Sequence, residues 1–186
     1  CKIAPVDMSS VKIEKQLLPD VYLLKTPCFR DSRGSFSKIF NFESFSDQSI
    51  HFEPKEIFYS TSAKYVLRGM HFQIANAAHQ KLVCCQKGKF LDVIVCVDPN
   101  SDHFNKPIAV ELDEESSTAI LIGTQYAHGF LSLEDDSLML YSTSTVHCPE
   151  LDKGILWSSI DFEWPINILP ILSDRDKNHP HINTLQ

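Results

Sequence analysis

The stretch VLRGMHFQIANAAHQKLV, residues 66–83, carries two side chains that could work together as a base and an electrophile. His71 lies in a strand-like segment, and Lys81 opens the next one. Alternation along a strand places Lys81, Val83 and Cys85 on one face, which makes Lys81 a candidate for an inward-facing ammonium. Such a group costs several kcal/mol unless it has a partner or a negative ligand. The ordinary alternatives are a strand-end lysine that reaches water and a hydrogen-bonded core histidine.

Two more residues could take part in such chemistry, although each has an ordinary explanation. His128 lies in QYAHGFLSL directly before a glycine, where it could belong to a turn. Tyr141 lies in LMLYSTS and fits an ordinary strand tyrosine. Each signal is weak alone, but the order and spacing of these two residues with His71 and Lys81 are a stronger signal.

Short strands are the elements that must position these residues. Ten segments rich in β-branched or aromatic residues lie between turn signals. They span residues 21–26, 35–41, 55–62, 66–73, 80–86, 89–97, 108–113, 118–123, 128–133 and 137–145. This spacing predicts an all-β sandwich or barrel, as a single domain over residues 1–186. Residues 41–48 are compatible with a short helix, and the irregular, Pro-rich C-terminal part from 164 onward is expected to wrap the outside or fray.

Composition excludes some classes of partner. The 186 residues carry a net charge of −7, which argues against nucleic acid binding. No apolar run approaches the roughly 20 residues of a membrane span, and the first residues lack the apolar centre of a signal peptide. The six cysteines, of which Cys1 begins the chain, contain no CxxC pair. Reduced thiols in a cytoplasmic protein are therefore expected, rather than a zinc site.

Several short motifs occur in an order that resembles one family. They are FRDSRGSF (29–36), VLRGMHFQ (66–73), KLV (81–83), LDVIV (91–95), AHGFLSL (127–133), ILW (155–157), WP (164–165) and LSDRD (172–176). Together they resemble the dTDP-4-dehydrorhamnose 3,5-epimerase family over about residues 20–176. The most specific feature is LRG-x-H with a lysine ten residues later, followed by AHGF. The resemblance implies a cupin-type jelly-roll barrel that dimerises by exchanging strands.

The resemblance also implies a reaction and the residues that carry it. Members of the family remove a proton next to the 4-keto group of a nucleotide-linked 6-deoxyhexose and return it from the opposite face. His71 matches the base, and Asp176 matches its carboxylate partner. Lys81 matches the cation that stabilises the enolate. Tyr141 matches the acid that protonates the enolate from the other side.

Other matched positions are implied to bind the substrate. Arg33 and Arg68 match arginines that hold the diphosphate, a task that suits a bidentate guanidinium. Asp92 and His128 match further cavity residues with lining and hydrogen-bonding roles.

The chain departs from the family pattern at several positions. Glu56 and Phe58 stand where a glutamine and an asparagine are usual, so they could read a base other than thymine. Lys38 replaces a glutamate, and a salt bridge between Lys38 and Glu56 is the simpler explanation. These positions leave the nucleotide open, although dTDP is expected.

The metal question arises because cupins often bind metals through a His-x-His pair. Here the pair reads His71-Phe72-Gln73, and Gln73 joins the predicted substrate-binding set instead. His71 and His128 alone make an incomplete ligand set, and the neighbouring Lys81 opposes a divalent ion. Chemistry without metal or cofactor is therefore expected.

Three alternatives to the epimerase stay open from the sequence. A 3,4-ketoisomerase of related cupin fold also enolises similar substrates. A non-catalytic sugar-nucleotide or carbohydrate binding module would need no acid–base set. A metal-dependent cupin oxygenase is the least favoured. The sequence also leaves open whether C3, C5 or both carbons are inverted.

Overall fold

The computed structural model describes residues 10–185, and most of them belong to β structure. The strands are β1 (Lys12–Leu18), β2 (Val21–Lys25), β3 (Cys28–Asp31), β4 (Gly34–Ser37), β5 (Glu56–Ser62), β6 (Leu67–Gln73), β7 (Lys81–Lys87), β8 (Lys89–Cys96), β9 (Ile108–Asp113), β10 (Thr118–Ile122), β11 (Tyr126–Ser132), β12 (Ser137–Thr143) and β13 (Asp152–Gly154). The helices are α1 (Phe42–Ser46) and α2 (Asp174–Lys177), with 3₁₀ turns at Ala75–Ala77, Trp157–Ser159 and Ile182–Leu185. Cys1 lies outside the described residues.

The strands form two antiparallel sheets and a separate hairpin. The six-stranded sheet has the order β1-β2-β10-β7-β12-β5, and the five-stranded sheet has the order β13-β6-β11-β8-β9. The remaining strands, β3 and β4, pair only with each other. Neighbouring strands such as β2 and β10 are distant in sequence, so the sheets join segments that lie far apart in the chain.

An apolar layer between the sheets forms the centre of the fold. Val83 and Cys85 of β7 point into this layer, where they meet Phe90 of β8. Leu82 and Cys84, which alternate with them, face outward and pack beside the residues around α1. This confirms the two faces predicted for the segment 80–86, because successive strand side chains point to opposite sides.

The C-terminal segment forms a second layer on the outer face of the five-stranded sheet. Trp164 and Ile182 are buried there against strand residues such as Val93 and Leu131. Of the two predicted outcomes, wrapping the outside is therefore correct and fraying is wrong for the described part. The segment belongs to the hydrophobic core although its sequence is polar and rich in proline.

All ten predicted strand segments overlap a strand, and α1 lies within the predicted helical stretch 41–48. The sequence did not predict β1, β3 or β13. The fold class is therefore all-β with short helices, as expected.

Two further findings concern membranes and thiols. No helix in residues 10–185 combines the length and the apolar character that crossing a membrane requires. The five cysteines within the described residues are free thiols.

Candidate active site

A cavity of about 340 Å³ lies between the two sheets and is closed on one side by α2. It is lined by Phe58, Ser60, Arg68, His71, Lys81, His128, Phe130, Tyr141, Ser173, Arg175 and Asp176. Strands of both sheets contribute, since His71 lies on β6 and Lys81 on β7. All four residues predicted to be catalytic therefore line one cavity.

His71 and Asp176 form a hydrogen-bonded pair although 105 residues separate them in the chain. His71 Nε2 lies 2.6 Å from Asp176 Oδ1. Burial alone would raise the pKa of Asp176, but the hydrogen bond and charge of His71, together with Ser173, bring that pKa below its ordinary value. An ionised carboxylate only accepts hydrogen bonds, so His71 Nε2 must carry the proton. Nδ1 is then the ring nitrogen that can take another proton.

Helix α2 fixes Asp176 in place. The side chain of Ser173 caps the helix by accepting a hydrogen bond from the Asp176 backbone N–H at 3.1 Å. The backbone N–H of Leu67 donates to the carbonyl of Ile171, so this segment begins on the same strand that carries His71. The two members of the pair are thus tied to one another through β6.

Lys81 places a buried amino group in the cavity wall. Its Nζ donates to the backbone carbonyl of His71 at 3.0 Å. Burial lowers the pKa of Lys81 to about 8, although the carboxylates of Asp152 and Asp92 oppose this effect. A buried ammonium with few carboxylate neighbours is suited to stabilising a negative charge that develops nearby.

Tyr141 lies on β12 in the sheet opposite His71. Its hydroxyl is 3.1 Å from Ser60 Oγ, and its ring stacks on Phe58 at 4.7 Å between centroids. Burial raises the pKa of Tyr141, so the phenol keeps its proton throughout the neutral range. The arrangement supplies a protonated hydroxyl at the cavity wall.

A second histidine–carboxylate pair stands beside the first. His128 of β11 is opposite His71 in the β6–β11 register. Its Nε2 lies 2.8 Å from Asp92 Oδ1, and both side chains are almost completely buried. Asp92 stands behind His128 and is not among the lining residues, so it fixes the orientation of that ring.

Two arginines give the cavity a positive rim. Arg68 donates to Ser62 Oγ and to the carbonyl of Thr61, which fixes its guanidinium at the edge of β6. Arg175 pairs with Asp152 at 2.7 Å.

Besides Asp92, three residues of the predicted substrate-binding set lie outside the cavity lining, namely Arg33, Glu56 and Gln73. Arg33 is on the exposed β3–β4 hairpin and pairs with Asp31 at 2.6 Å. Glu56 accepts a hydrogen bond from the His147 backbone N–H at 2.7 Å, not the salt bridge to Lys38 that the sequence allowed.

Gln73 is buried behind the site. Its amide nitrogen donates to the Ala77 carbonyl, and its Oε1 accepts from the Cys148 backbone N–H. These bonds fix two loops, and they leave the side chain outside the cavity lining.

The sequence interpretation did not single out several residues of the site. Ser60 lies two residues after Phe58 on β5, so strand alternation could have identified it. Arg175 directly precedes Asp176 in the sequence, and that position was the available signal. His179 has no motif to mark it, and only the packing of the C-terminal segment brings it to Asp176.

One cluster in residues 10–185 has the composition of a metal site, namely His71, Asp176 and His179 with ligand atoms within 4.8 Å of one another. The 2.6 Å contact of His71 with Asp176 is a hydrogen bond, and it already occupies one nitrogen of His71 and one oxygen of Asp176. The Lys81 ammonium near His71 also disfavours a divalent cation. The donor set therefore fits an acid–base pair better than a metal centre.

Known proteins similar to this chain are named as epimerases of dTDP-linked sugars. Residues 15–184 match the model of a family described as dTDP-4-dehydrorhamnose 3,5-epimerase. The chain is 37% identical over 176 residues to the dTDP-4-dehydrorhamnose 3,5-epimerase of Shigella flexneri, covering 92% of this chain and 94% of that protein. It is 33% identical over 159 residues to a dTDP-4-dehydro-6-deoxyglucose 3-epimerase of a Streptomyces species, covering 84% and 81%.

A solved structure shows the same fold. The crystal structure of dTDP-4-dehydrorhamnose 3,5-epimerase from Bacillus anthracis, with TDP and PPi bound, matches at a TM-score of 0.87 and 28% identity. The match covers 92% of this chain and 99% of that one. The two-sheet architecture is thus the cupin-type jelly roll that the sequence predicts.

Proposed function

Because the chain belongs to the dTDP-4-dehydrorhamnose 3,5-epimerase family, a family of isomerases, we propose that it inverts C3, C5 or both carbons of a dTDP-linked 4-keto-6-deoxyhexose. The observation that carries this proposal is the His71–Asp176 pair in a cavity that Lys81 and Tyr141 also line. Base, cation and acid are the three groups that inversion next to a ketone requires.

His71 is the base of the proposed reaction. Its Nε2–H bond to Asp176 fixes the tautomer and leaves Nδ1 to remove the proton from the sugar carbon. The His71 side chain is 28% exposed, against 3% for His128, so of the two paired histidines His71 is the accessible one. The Asp176 charge then stabilises the imidazolium that forms.

Lys81 makes this proton transfer feasible. A proton next to a ketone is about a dozen pKa units less acidic than imidazolium, and each unit costs about 1.4 kcal/mol. The Lys81 ammonium compensates for part of this difference by stabilising the enolate oxygen as its charge grows. In this role the lysine replaces a metal, so the proposed reaction needs no cofactor.

Tyr141 is the proposed proton donor. It lies on the six-stranded sheet, whereas His71 lies on the five-stranded sheet, so the two groups approach a substrate from opposite walls. Protonation from the wall opposite to the base inverts the carbon. A phenol is acidic enough for this task because protonating an enolate is strongly favourable.

The rim arginines suit the diphosphate of the substrate. Arg68 and Arg175 line the cavity and can each make paired hydrogen bonds to phosphate oxygens. They explain how a chain of net charge −7 binds an anionic ligand. The TDP and PPi bound to the Bacillus anthracis protein support this class of ligand.

We also propose a homodimer in the reducing cytoplasm. Phe29 and Phe36 are exposed on the β3–β4 hairpin, and exposed apolar side chains of this size favour association. A dimer in which this hairpin crosses to the second subunit would carry Arg33 toward the diphosphate. The free thiols support a reducing compartment. Sedimentation equilibrium that shows a monomer at micromolar concentration would contradict the dimer.

Proton NMR in deuterated water tests the proposed function. The enzyme is incubated with dTDP-4-keto-6-deoxyglucose, and deuterium at C3 and C5 of the sugar is followed. Incorporation at both carbons, lost in His71→Ala, is the result expected of a 3,5-epimerase, whereas incorporation at one carbon identifies a single-site epimerase. No incorporation, with the same result for CDP- and GDP-linked substrates, would refute an epimerase.

A further inference from the structure

His179 is buried beside the His71–Asp176 pair but does not line the cavity. It follows α2 three residues after Asp176, and its side chain is only 9% exposed. Its ring meets that of His71 edge to face, with 5.4 Å between the centroids and an interplanar angle of 74°. Because it does not line the cavity, His179 can affect a reaction there only by acting on the residues that do.

The carboxylate of Asp176 stands between the two histidines. His179 Nε2 lies 3.4 Å from Asp176 Oδ1, the same oxygen that His71 contacts at 2.6 Å. No polar atom in residues 10–185, Asp176 included, forms a hydrogen bond with this Nε2. The buried nitrogen therefore has no hydrogen-bond partner in the resting geometry, although it lies within ion-pair distance of the Asp176 carboxylate.

The backbone of β13 and its surroundings hold the His179 ring in this position. A Cβ atom on Gly154 would lie 2.3 Å from both Cε1 and Nε2 of His179, so this ring requires glycine at 154. Gly154 is also the residue opposite His71 in the β6–β13 register. The carbonyl of Pro180 accepts a hydrogen bond from the Leu156 backbone N–H at 2.7 Å, which fixes the segment directly after His179.

The charges around His179 favour a neutral ring. Burial lowers the pKa of His179, and repulsion from His71 (when that ring is protonated) and from Arg175 acts in the same direction, while Asp176 opposes them. A neutral ring can present an Nε2–H dipole to the carboxylate without adding a second full positive charge. The Asp176 charge then remains available to the imidazolium that His71 becomes when it removes a proton.

We propose that His179 is a positioning residue, which holds the Asp176 carboxylate against His71 and so keeps the base in its reactive orientation. This inference rests on the proposed epimerase function for its kinetic consequence. The geometric part concerns the resting enzyme and can be measured without substrate.

Three substitutions separate the nitrogen of His179 from its volume. His179→Ala removes both, His179→Phe keeps a ring against Gly154 without a nitrogen, and His179→Gln keeps an amide donor. In the deuterium-exchange assay we expect kcat to fall about tenfold or more in the Ala and Phe variants, since small displacements of a base are costly. KM should stay within about twofold because His179 does not touch the cavity, and Gln should recover part of kcat.

A double variant asks whether His179 acts through Asp176. If it does, adding His179→Ala to Asp176→Asn lowers kcat no further, because the carboxylate that His179 positions is already lost. Multiplied losses would overturn the proposal. The exposed histidine His51, changed to alanine, serves as the matched control and should leave kcat unchanged.

Proton NMR of the free enzyme gives a readout that needs no substrate. A hydrogen bond as short as 2.6 Å between His71 and Asp176 should give a downfield, slowly exchanging imidazole N–H signal, assigned by its loss in Asp176→Asn. We expect that signal to broaden or disappear in His179→Ala and His179→Phe and to persist in His179→Gln. An unchanged signal in all three would overturn the proposal, even if no epimerisation of any substrate is found.

The kinetic assays are run with and without a chelator. Equal rates under both conditions are expected. A different result would overturn the positioning role. If a chelator abolishes wild-type activity and zinc restores it, while His179→Ala stays inactive at every zinc concentration, then His179 is a metal ligand.

Discussion

Replacing Lys81 with methionine should make the protein more stable and the enzyme much slower. The substitution keeps an unbranched side chain as far as Cε and removes the ammonium that lies 3.0 Å from the His71 carbonyl oxygen. Losing the group that stabilises a developing oxyanion typically lowers kcat about 100- to 1000-fold. The cavity would then keep its base, its acid and the two rim arginines but lack the buried ammonium.

The gain in stability follows from the pKa of Lys81, which burial lowers to about 8 from an ordinary 10.5. At about 1.4 kcal/mol per pKa unit, keeping this side chain charged in the folded protein costs up to about 3 kcal/mol. Below pH 8 both the folded and the unfolded chain carry the proton, so the whole cost is present at pH 7. Between pH 8 and 10.5 the unfolded chain binds more protons, so the wild-type free energy of unfolding rises with pH.

Activity should change with pH in the opposite direction. The ammonium needed for enolate formation is lost as pH rises through about 8, so wild-type kcat should fall above that pH. The methionine variant should lack this decline. Its advantage in unfolding free energy, up to about 3 kcal/mol at pH 7, should disappear near pH 10.5.

Two measurements check the prediction. Urea unfolding at pH 7 and pH 10, at one protein concentration, gives the stabilities, and deuterium exchange between pH 6 and 9.5 gives the rates. Lys64→Met, at an exposed lysine, is the control and should change neither quantity. A Lys81→Met variant that keeps more than a third of wild-type kcat, or that is less stable at pH 7, would refute the assigned role.

Two shorter predictions concern the proton donor and the C-terminal layer. Tyr141→Phe removes the hydroxyl opposite the base, so solvent deuterium should still exchange into the substrate through His71 while inverted product falls about 100-fold or more; equal loss of both, measured by NMR, would contradict separate roles. Ile182→Ala removes a fully buried side chain from the outer layer and should lower the free energy of unfolding by about 2–5 kcal/mol in urea titrations. A loss below about 0.5 kcal/mol would mean that the layer is not packed.

Much of the sheet structure could be predicted from the sequence because buried strands carry a strong apolar signal. The three missed strands show where that signal fails. Strand β1 is an edge strand whose side chains are mostly exposed, so its charged sequence shows no apolar alternation. Strands β3 and β4 form an exposed hairpin, and β13 has only three residues. These strands form by pairing with other strands, and their own sequences show little apolar alternation.

The C-terminal layer was underestimated for a related reason. Its polar, Pro-rich sequence has no period, but the sheet beneath it needs a cover. Every residue of β11 is buried, including the side that faces away from the inner core. A strand buried on both faces indicates that another layer packs outside it. The sign of an outer layer is therefore the burial of β11, which the structure shows, and not the sequence of the layer itself.

For the candidate site too, residues marked by their sequence neighbours could be predicted, whereas residues brought together only by the fold could not. Alternation on β7 made Lys81 a candidate for an inward-facing cation, beside the alternative of a strand-end lysine that reaches water, since that argument needs only neighbouring residues. Asp176 came from the resemblance to a family, because a distance of 105 residues leaves no local pattern that links it to His71. His179 came from the structure alone, since only the packing against Gly154 defines its place.

In the proposed mechanism, the position of Asp176 makes catalysis depend on the outer layer. The segment that carries it is held at Ile171, which bonds to both Tyr65 and Leu67, and at Ile182, whose backbone N–H donates to Ser159 Oγ. Between these anchors, the Ser173 cap orients the one turn of α2 so that the carboxylate reaches His71. The sheets alone provide the base and the cation, but the base gains its carboxylate partner only when the C-terminal segment packs. Packing of that segment is therefore a step in assembling the active site as well as in covering the sheet.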